Sequence, residues 1–79
     1  MNAEALNSKF GKEVKIWDKR SREDARYPSM IGTLICLTTH EDREVLQLHD
    51  VTSQNVITGQ RTASYGMSYV NTDNINMIE

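Results

Sequence analysis

Two histidines lie among carboxylates near the middle of the chain, and they form its richest cluster of groups able to do chemistry. His40 precedes Glu41 and Asp42 directly, and His49 precedes Asp50. Imidazole and carboxylate groups bind zinc when three or four of them converge on one point. His40 falls in a predicted turn, whereas His49 lies in a predicted strand, so this spacing does not favour convergence. The sequence therefore predicts no metal site and no cofactor.

Groups for nucleophilic catalysis are equally sparse. Cys36 stands between two apolar residues, Ile35 and Leu37, and such surroundings favour an unreactive thiol. Gly59 and Gly66 are isolated turn signals and do not form a glycine-rich phosphate loop. Because no nucleophile–base or acid–base pair can be placed, we expect a protein that is not an enzyme.

The cysteine content and the N-terminus indicate a cellular location. Cys36 is the only cysteine, so an intramolecular disulfide is excluded, which is typical of a reducing compartment. The N-terminus lacks the apolar run of a secretory signal, and no apolar stretch is long enough to span a membrane. We therefore expect a cytoplasmic protein without a membrane partner.

Charge is distributed unevenly along the 79 residues, whose net charge is −2. Residues 1–26 contain seven of the nine lysines and arginines against five acids, whereas residues 27–79 contain two against six. Proteins that bind nucleic acid usually present a basic face, because neutralising phosphates releases counterions. The overall acidity counts against strong nonspecific binding, but the basic first third could still form a local patch.

Alternating apolar residues predict a small β domain that spans residues 1–79. Residues 2–10 read as a short helix whose Leu6 and Phe10 share one face and dock on a sheet. Gly32, inside the second apolar segment, indicates a bend or bulge. Strands are expected over residues 13–17, 30–39, 45–48, 64–71 and 74–79. The predicted fold class is mainly β, a short N-terminal helix followed by a five-stranded Sm-like or SH3-like barrel.

Two aromatic residues are candidates for binding a partner. Trp17 alternates with the predicted core residues Val14 and Ile16, so its side chain is expected to point outward. An outward tryptophan is a common anchor at protein interfaces or under a nucleic-acid base. Tyr27, at the end of the charged loop over residues 18–28, joins it as a second anchor. The alternative is that Trp17 is covered by Leu6 and Phe10 of the N-terminal segment.

One segment resembles the first motif of the Sm-like (Lsm) family. That segment, residues 32–42, reads Gly-Thr-Leu-Ile-Cys-Leu-Thr-Thr-His-Glu-Asp. The family motif has a glycine in a bent strand, an apolar residue two positions later, and a loop with Asp, a stacking residue and Asn. Gly32 and Leu34 match this pattern, and His40 falls at the stacking position. Thr38 and Asp42 stand in place of the usual Asp and Asn.

A second segment, residues 70–78, resembles the second motif of the same family. Its apolar frame of Val70, Ile75 and Ile78 is present, while Asn71 and Thr72 stand in place of the usual Arg-Gly pair. In this family, subunits pair edge strands into rings, and RNA passes the two loops. The resemblance therefore implies a self-associating module that binds single-stranded RNA through His40, Asp42, Asn71, Thr72 and Asp73.

Two functions are favoured at this level, and a third, a pocket between subunits that binds a small nucleotide or metabolite, also remains open. The first is a noncatalytic, ring-forming Sm-like module in which His40 stacks on an RNA base and Asp42 or Asn71 binds the base edge. The alternative is a small SH3-like barrel that binds a protein partner through Trp17, Tyr27 and an exposed edge strand. The second function needs no basic surface, which suits the acidic composition.

Overall fold

A single antiparallel sheet forms the framework of the protein. The computed structural model describes residues 6–19, 25–62, 64 and 66–79. The strands are β1 (Glu13–Asp18), β2 (Met30–His40), β3 (Arg43–Ser53), β4 (Ser68–Asn71) and β5 (Ile75–Ile78). A 3₁₀ turn, Thr72–Asn74, connects β4 to β5. The described part of the chain is thus mainly β.

The sheet is open, so the predicted closed five-stranded barrel was wrong. The strand order is β4-β3-β2-β1-β5, which leaves β4 and β5 at opposite ends of the sheet. A closed barrel would require β4 to pair with β5, and a hairpin turn between these two strands would favour that pairing. The connection is a 3₁₀ turn instead, and β5 pairs with β1. Within the described residues, each terminal strand therefore has one paired edge and one unpaired edge.

The predicted N-terminal helix was also wrong. Residues 2–5 of the predicted span 2–10 lie outside the described residues, and the described remainder has helical backbone only at Leu6 and Asn7, followed by a turn, which is too short for a helix element. Its backbone bonds join residues three apart, Lys9 N to Leu6 O (2.8 Å) and Lys12 N to Lys9 O (3.0 Å), which is turn geometry. No helix in this described part is long and apolar enough to cross a membrane.

The N-terminal turn nevertheless docks on the sheet through the expected side chains. Leu6 is 3% exposed in the core, and Phe10 packs against the same cluster. The backbone N–H of Gly11 donates to the carbonyl of Leu34 in β2 at 2.7 Å. Leu6 and Phe10 therefore complete the core, which supplies the stabilisation that so short a segment lacks alone.

Gly32 marks a bulge in β2, as the sequence predicts. The β2–β3 register shifts between Ile31 and Thr33. A Cβ atom at Gly32 would lie 3.1 Å from both the carbonyl oxygen of His49 and a methyl group of Val51, so glycine permits the close approach of β3. Bulges bend a strand and increase its twist, so the sheet curls at this point.

The core lies inside this curl and draws on almost every element. In a flat sheet β4 and β5 would be about 19 Å apart, four strand spacings. Yet Val70 of β4 and Ile78 of β5 both pack on one cluster of buried side chains. That cluster consists of Leu6, Val14, Ile16, Leu34, Leu46, Leu48, Val51 and Ile75. The curl of the sheet is therefore what allows so short a chain to enclose a core.

The last strand departs from the predicted alternation. The sequence places Ile75 and Met77 on one face and Ile78 on the other. In the structure Trp17 faces Met77 and Asp18 faces Ile75, so the register skips Asn76. This irregularity lets Ile75 be buried and Ile78 pack on the core, while Met77 is 44% exposed.

Truncation of Leu34 should test the position of the core. Leu34 is fully buried, whereas its neighbour Ile35 is 40% exposed. We expect Leu34→Ala to lower the free energy of unfolding by about 2–5 kcal/mol, because it removes buried methyl groups and leaves a cavity. Urea denaturation measures this, with Ile35→Ala as the control of matched size. Equal losses from the two variants would contradict this assignment of the core face.

Candidate functional site

Two exposed aromatic rings stack at the end of the β2–β3 hairpin. His40 is the last residue of β2, and Tyr69 lies in the terminal strand β4. Their ring centroids are 5.8 Å apart with planes inclined by 5°, within the range of offset stacking. Tyr69 is 48% exposed and His40 is also exposed, so the pair presents aromatic surface to solvent.

The predicted residues after β4 hold the adjoining turn together. The Oδ1 atom of Asn71 accepts the backbone N–H of Asp73 at 2.9 Å and so caps the 3₁₀ turn. The hydroxyl of Thr72 donates to the carbonyl of Glu44 at 3.3 Å, which ties this turn to β3. Asn71 also lies opposite Val45 in the register. We call His40, Tyr69, Asn71 and Thr72, which meet at this end of the sheet, the stacking site.

Carboxylates surround the stacking site. Asp42 occupies the β2–β3 turn beside Glu41, and both have positive φ angles, 62° and 51°. Successive positive φ values are typical of the two-residue turns that match the twist of a hairpin. Both side chains are exposed, as are those of Glu44 and Asp73. Arg43, which lies opposite His40 in the register, is also exposed, so four carboxylates and one cation leave an acidic surface that disfavours phosphate.

Tyr69 was missed in the sequence, and its importance depends on the strand register. It lies opposite Gln47 in β3, which in turn faces Cys36 in β2. Period-two alternation predicts which side of a strand a residue faces, but not which residue stands opposite. The only signal in the sequence was that Tyr69 is an aromatic residue in another predicted strand, and the position of that strand relative to His40 could not be predicted.

Gln47 is the hub of a polar network beside the stacking site. Its Oε1 accepts the S–H of Cys36 at 3.3 Å, and its Nε2 lies 3.1 Å from Nε2 of His49 and 3.0 Å from the sulfur of Met67. His49 therefore contacts an amide and not the acids near it in sequence. Among the described residues, no group of three or more His, Cys, Asp or Glu side chains could hold a metal ion.

Trp17 of β1 and Tyr27 of the loop before β2 both line a cavity of about 510 Å³. Its first wall is the outer face of β1, where Glu13, Lys15 and Trp17 alternate with the buried Val14 and Ile16. Its other walls are Arg26, Tyr27, Pro28, Ile31, Gln54, Arg61 and Glu79. We call this space the aromatic cavity. Leu6 and Phe10 belong to the core instead, so they do not account for the half-buried state of Trp17.

Backbone hydrogen bonds position the walls of the aromatic cavity. The N–H and the hydroxyl of Ser29 both donate to the carbonyl of Ile16, at 2.9 and 3.1 Å. The N–H of Gln54 donates to the carbonyl of Ser29 at 2.9 Å. These bonds tie the segment that contains Tyr27 to β1 on one side and to the end of β3 on the other.

The loop after β3 closes against the ring of Tyr27. Gly59 has a φ of +78°, and a Cβ atom there would lie 2.8 Å from Cζ of Tyr27. Asn55 organises this loop, because its Oδ1 accepts the N–H groups of Ile57 (2.9 Å) and Thr58 (3.0 Å). Nε2 of Gln54 donates to the carbonyl of Gly59 at 2.9 Å. The loop therefore packs closely against the ring of Tyr27 at Gly59.

Comparison with known proteins gives no assignment for these sites. The chain matches no protein-family model, no curated protein and no solved structure. The function must therefore be argued from the geometry of the stacking site, the aromatic cavity and the sheet edges.

Alanine at Gly59 should disturb the aromatic cavity. The positive φ alone should cost roughly 1–2 kcal/mol, and the clash with Tyr27 should cost about 1 kcal/mol more. Gly66→Ala is the matched control, because Gly66 has a φ of +84° but open space where its Cβ would stand. Urea denaturation should show a larger loss of stability for Gly59→Ala. Equal losses of stability would mean that the Tyr27 ring moves aside at no measurable cost.

Proposed function

We propose that this protein is a noncatalytic, self-associating β module whose copies join through their terminal strands into a ring that binds single-stranded RNA. The observation that carries the proposal is the open sheet, in which β4 and β5 each have one unpaired edge. This is the kind of assembly that the resemblance to the Sm-like family implies. Pairing β4 of one copy with β5 of the next would satisfy both edges.

The composition of the two terminal strands supports this assembly. Proteins usually protect exposed edge strands with charges, prolines or a covering element. β4 reads Ser-Tyr-Val-Asn and β5 reads Ile-Asn-Met-Ile, without a charge or a proline. Tyr69 and Met77, one on each strand, are both about half exposed. Such edges favour pairing, and a small domain gains stability from it.

The symmetry of the contact favours a ring. β4 and β5 are different surfaces at opposite ends of one sheet, so their pairing is head to tail. A head-to-tail contact leaves one free edge at each end of a growing chain of subunits, and it terminates only by closing on itself. A closed ring therefore leaves no free edge strand.

The stacking site supplies the proposed contact with RNA. Every base has a π-face, so a base can extend the exposed His40–Tyr69 stack without sequence-specific hydrogen bonds. The surrounding carboxylates oppose phosphate, which assigns the phosphates to the basic residues of the N-terminal third. Asn71 uses Oδ1 for its cap and retains its NH₂ group for the edge of a base.

A charge on β5 should prevent assembly. Met77→Lys places a cation on β5, whose outer edge is unpaired, and the pairing of copies at that edge would bury or crowd it. We expect light scattering to report several subunits for the unmodified chain and one for the variant. Ile57→Lys is the control, because Ile57 is 80% exposed but lies in a loop. A monomeric mass for the unmodified chain at all concentrations would contradict the ring.

Removal of the His40 ring should weaken RNA binding. We expect His40→Ala to reduce the affinity for a short single-stranded oligonucleotide by about 1–3 kcal/mol, the typical contribution of stacking on one base. Fluorescence anisotropy at one fixed salt concentration measures this. His49→Ala is the matched control, since His49 is exposed but bonds to Gln47 outside the stack. Unchanged affinity in His40→Ala would remove the stacking role.

A further inference from the structure

The aromatic cavity combines positive charge with two flat rings, and the proposed function does not use these rings. Trp17 and Tyr27 contribute the rings, and Lys15, Arg26 and Arg61 contribute three cations. Glu13 and Glu79 are the two carboxylates in its lining, so the lining side chains carry a net charge of +1. This balance is unlike the acidic surroundings of the stacking site, and the three cations can contact an anionic ligand.

Arg61 is held in place for such a ligand. Its Nε and Nη2 atoms both donate to the hydroxyl of Thr52, at 3.2 and 3.0 Å. This contact fixes the guanidinium plane and leaves its remaining N–H groups available. A planar guanidinium with fixed orientation suits the paired oxygens of a phosphate better than a flexible ammonium does.

Gln54 adds a polar group that lacks a partner. Its amide orientation follows from the bond between Nε2 and the carbonyl of Gly59. The other amide atom, Oε1, is buried and accepts no hydrogen bond in the described part of the chain. A buried acceptor without a donor costs about 1–3 kcal/mol. Because this atom is buried, it is not exposed to the cavity, and Gln54 contributes to the wall by its bond to the loop after β3.

The size of the cavity favours one small ligand over a protein surface. Its volume of about 510 Å³ lies within the range of roughly 300–1,000 Å³ for small-molecule sites. A stable protein partner would need a contact surface of about 1,000 Å² or more. Rings for stacking and a guanidinium bonded to Thr52 together match the base and the phosphate of a nucleotide.

We propose that the aromatic cavity binds a nucleoside phosphate, with the base against Trp17 and Tyr27 and the phosphate at Arg26 and Arg61. The ligand is either a free mononucleotide or the phosphorylated terminal nucleotide of an RNA strand. This site is separate from the stacking site, because the cavity adjoins Ile31 near the start of β2, whereas His40 is the last residue of that strand. The proposal therefore does not depend on the proposed ring or on its RNA contact.

Titration of the unmodified chain with AMP, GMP, CMP and UMP tests this proposal. Trp17 is the only tryptophan, so its fluorescence reports directly on the cavity, and calorimetry provides an independent affinity. We expect saturable quenching with a Kd of about 1 mM or below. The corresponding nucleoside without phosphate should bind about fivefold more weakly, as for a partly exposed charge pair. No saturable binding up to about 10 mM would overturn the proposal.

Variants assign the binding to the cavity. Arg26→Ala should weaken mononucleotide binding about fivefold, whereas Lys12→Ala, which removes an exposed cation outside the lining, should leave it unchanged. Equal affinities for these two variants, or for nucleotide and nucleoside, would overturn the phosphate contact. Saturable quenching by an acidic peptide but by none of the nucleotides would also overturn it and would assign the cavity to a protein partner.

Two further measurements distinguish an RNA end from a free mononucleotide, and binding in the cavity from binding at the stacking site. A 5′-phosphorylated short oligonucleotide that binds the cavity more tightly than AMP indicates an RNA end, and the reverse order indicates a free mononucleotide. His40→Ala should keep the affinity for AMP while it loses affinity for an unphosphorylated oligonucleotide. A loss of AMP binding in His40→Ala would overturn the independence of the two sites.

Discussion

The close approach of β2 and β3 at Gly32 is the constraint on which the rest of the structure depends. A Cβ atom there would crowd the carbonyl of His49 and a methyl group of Val51, at 3.1 Å from each, so glycine favours the close approach of the two longest strands. The bend curls the sheet, and the curl brings Val70 and Ile78 from its opposite ends onto one core. The hydrophobic stabilisation of a chain of 79 residues rests on this geometry.

The same curl determines what the surface offers. It buries the inner face of the sheet but leaves β4 and β5 unpaired with each other, so two uncharged strand edges remain on one molecule. Two aromatic sites lie at opposite ends of β2. The stacking site lies among carboxylates and suits bases, whereas the aromatic cavity has a cationic excess and suits an anion. One small fold thus combines a surface for assembly with two surfaces of opposite charge.

Local patterns in the sequence predicted the local features of this structure, and non-local ones escaped prediction. Alternation indicated the strands, and Gly32 indicated the bulge, because both depend on a residue and its neighbours. The closed barrel failed because closure depends on whether β4 or β1 pairs with β5, which residues 71–74 do not decide. The prediction of a helix was wrong because Leu6 and Phe10 can reach the core from a turn as well as from a helix. Tyr69 was missed because its neighbours are set by the strand register. Gln54 was missed because its partner, the carbonyl of Gly59, lies in a loop.

Hydrogen–deuterium exchange tests the central claim, the pairing of β4 with β5 of another copy, most directly. In each terminal strand, the amides that point away from the sheet lack partners in one molecule and gain them only in the assembly. Pairing between copies predicts that exchange within Ser68–Asn71 and Ile75–Ile78 slows as the protein concentration rises. The exchange rates of the β2–β3 amides should stay unchanged. Exchange in the terminal strands that is fast and independent of concentration would contradict it.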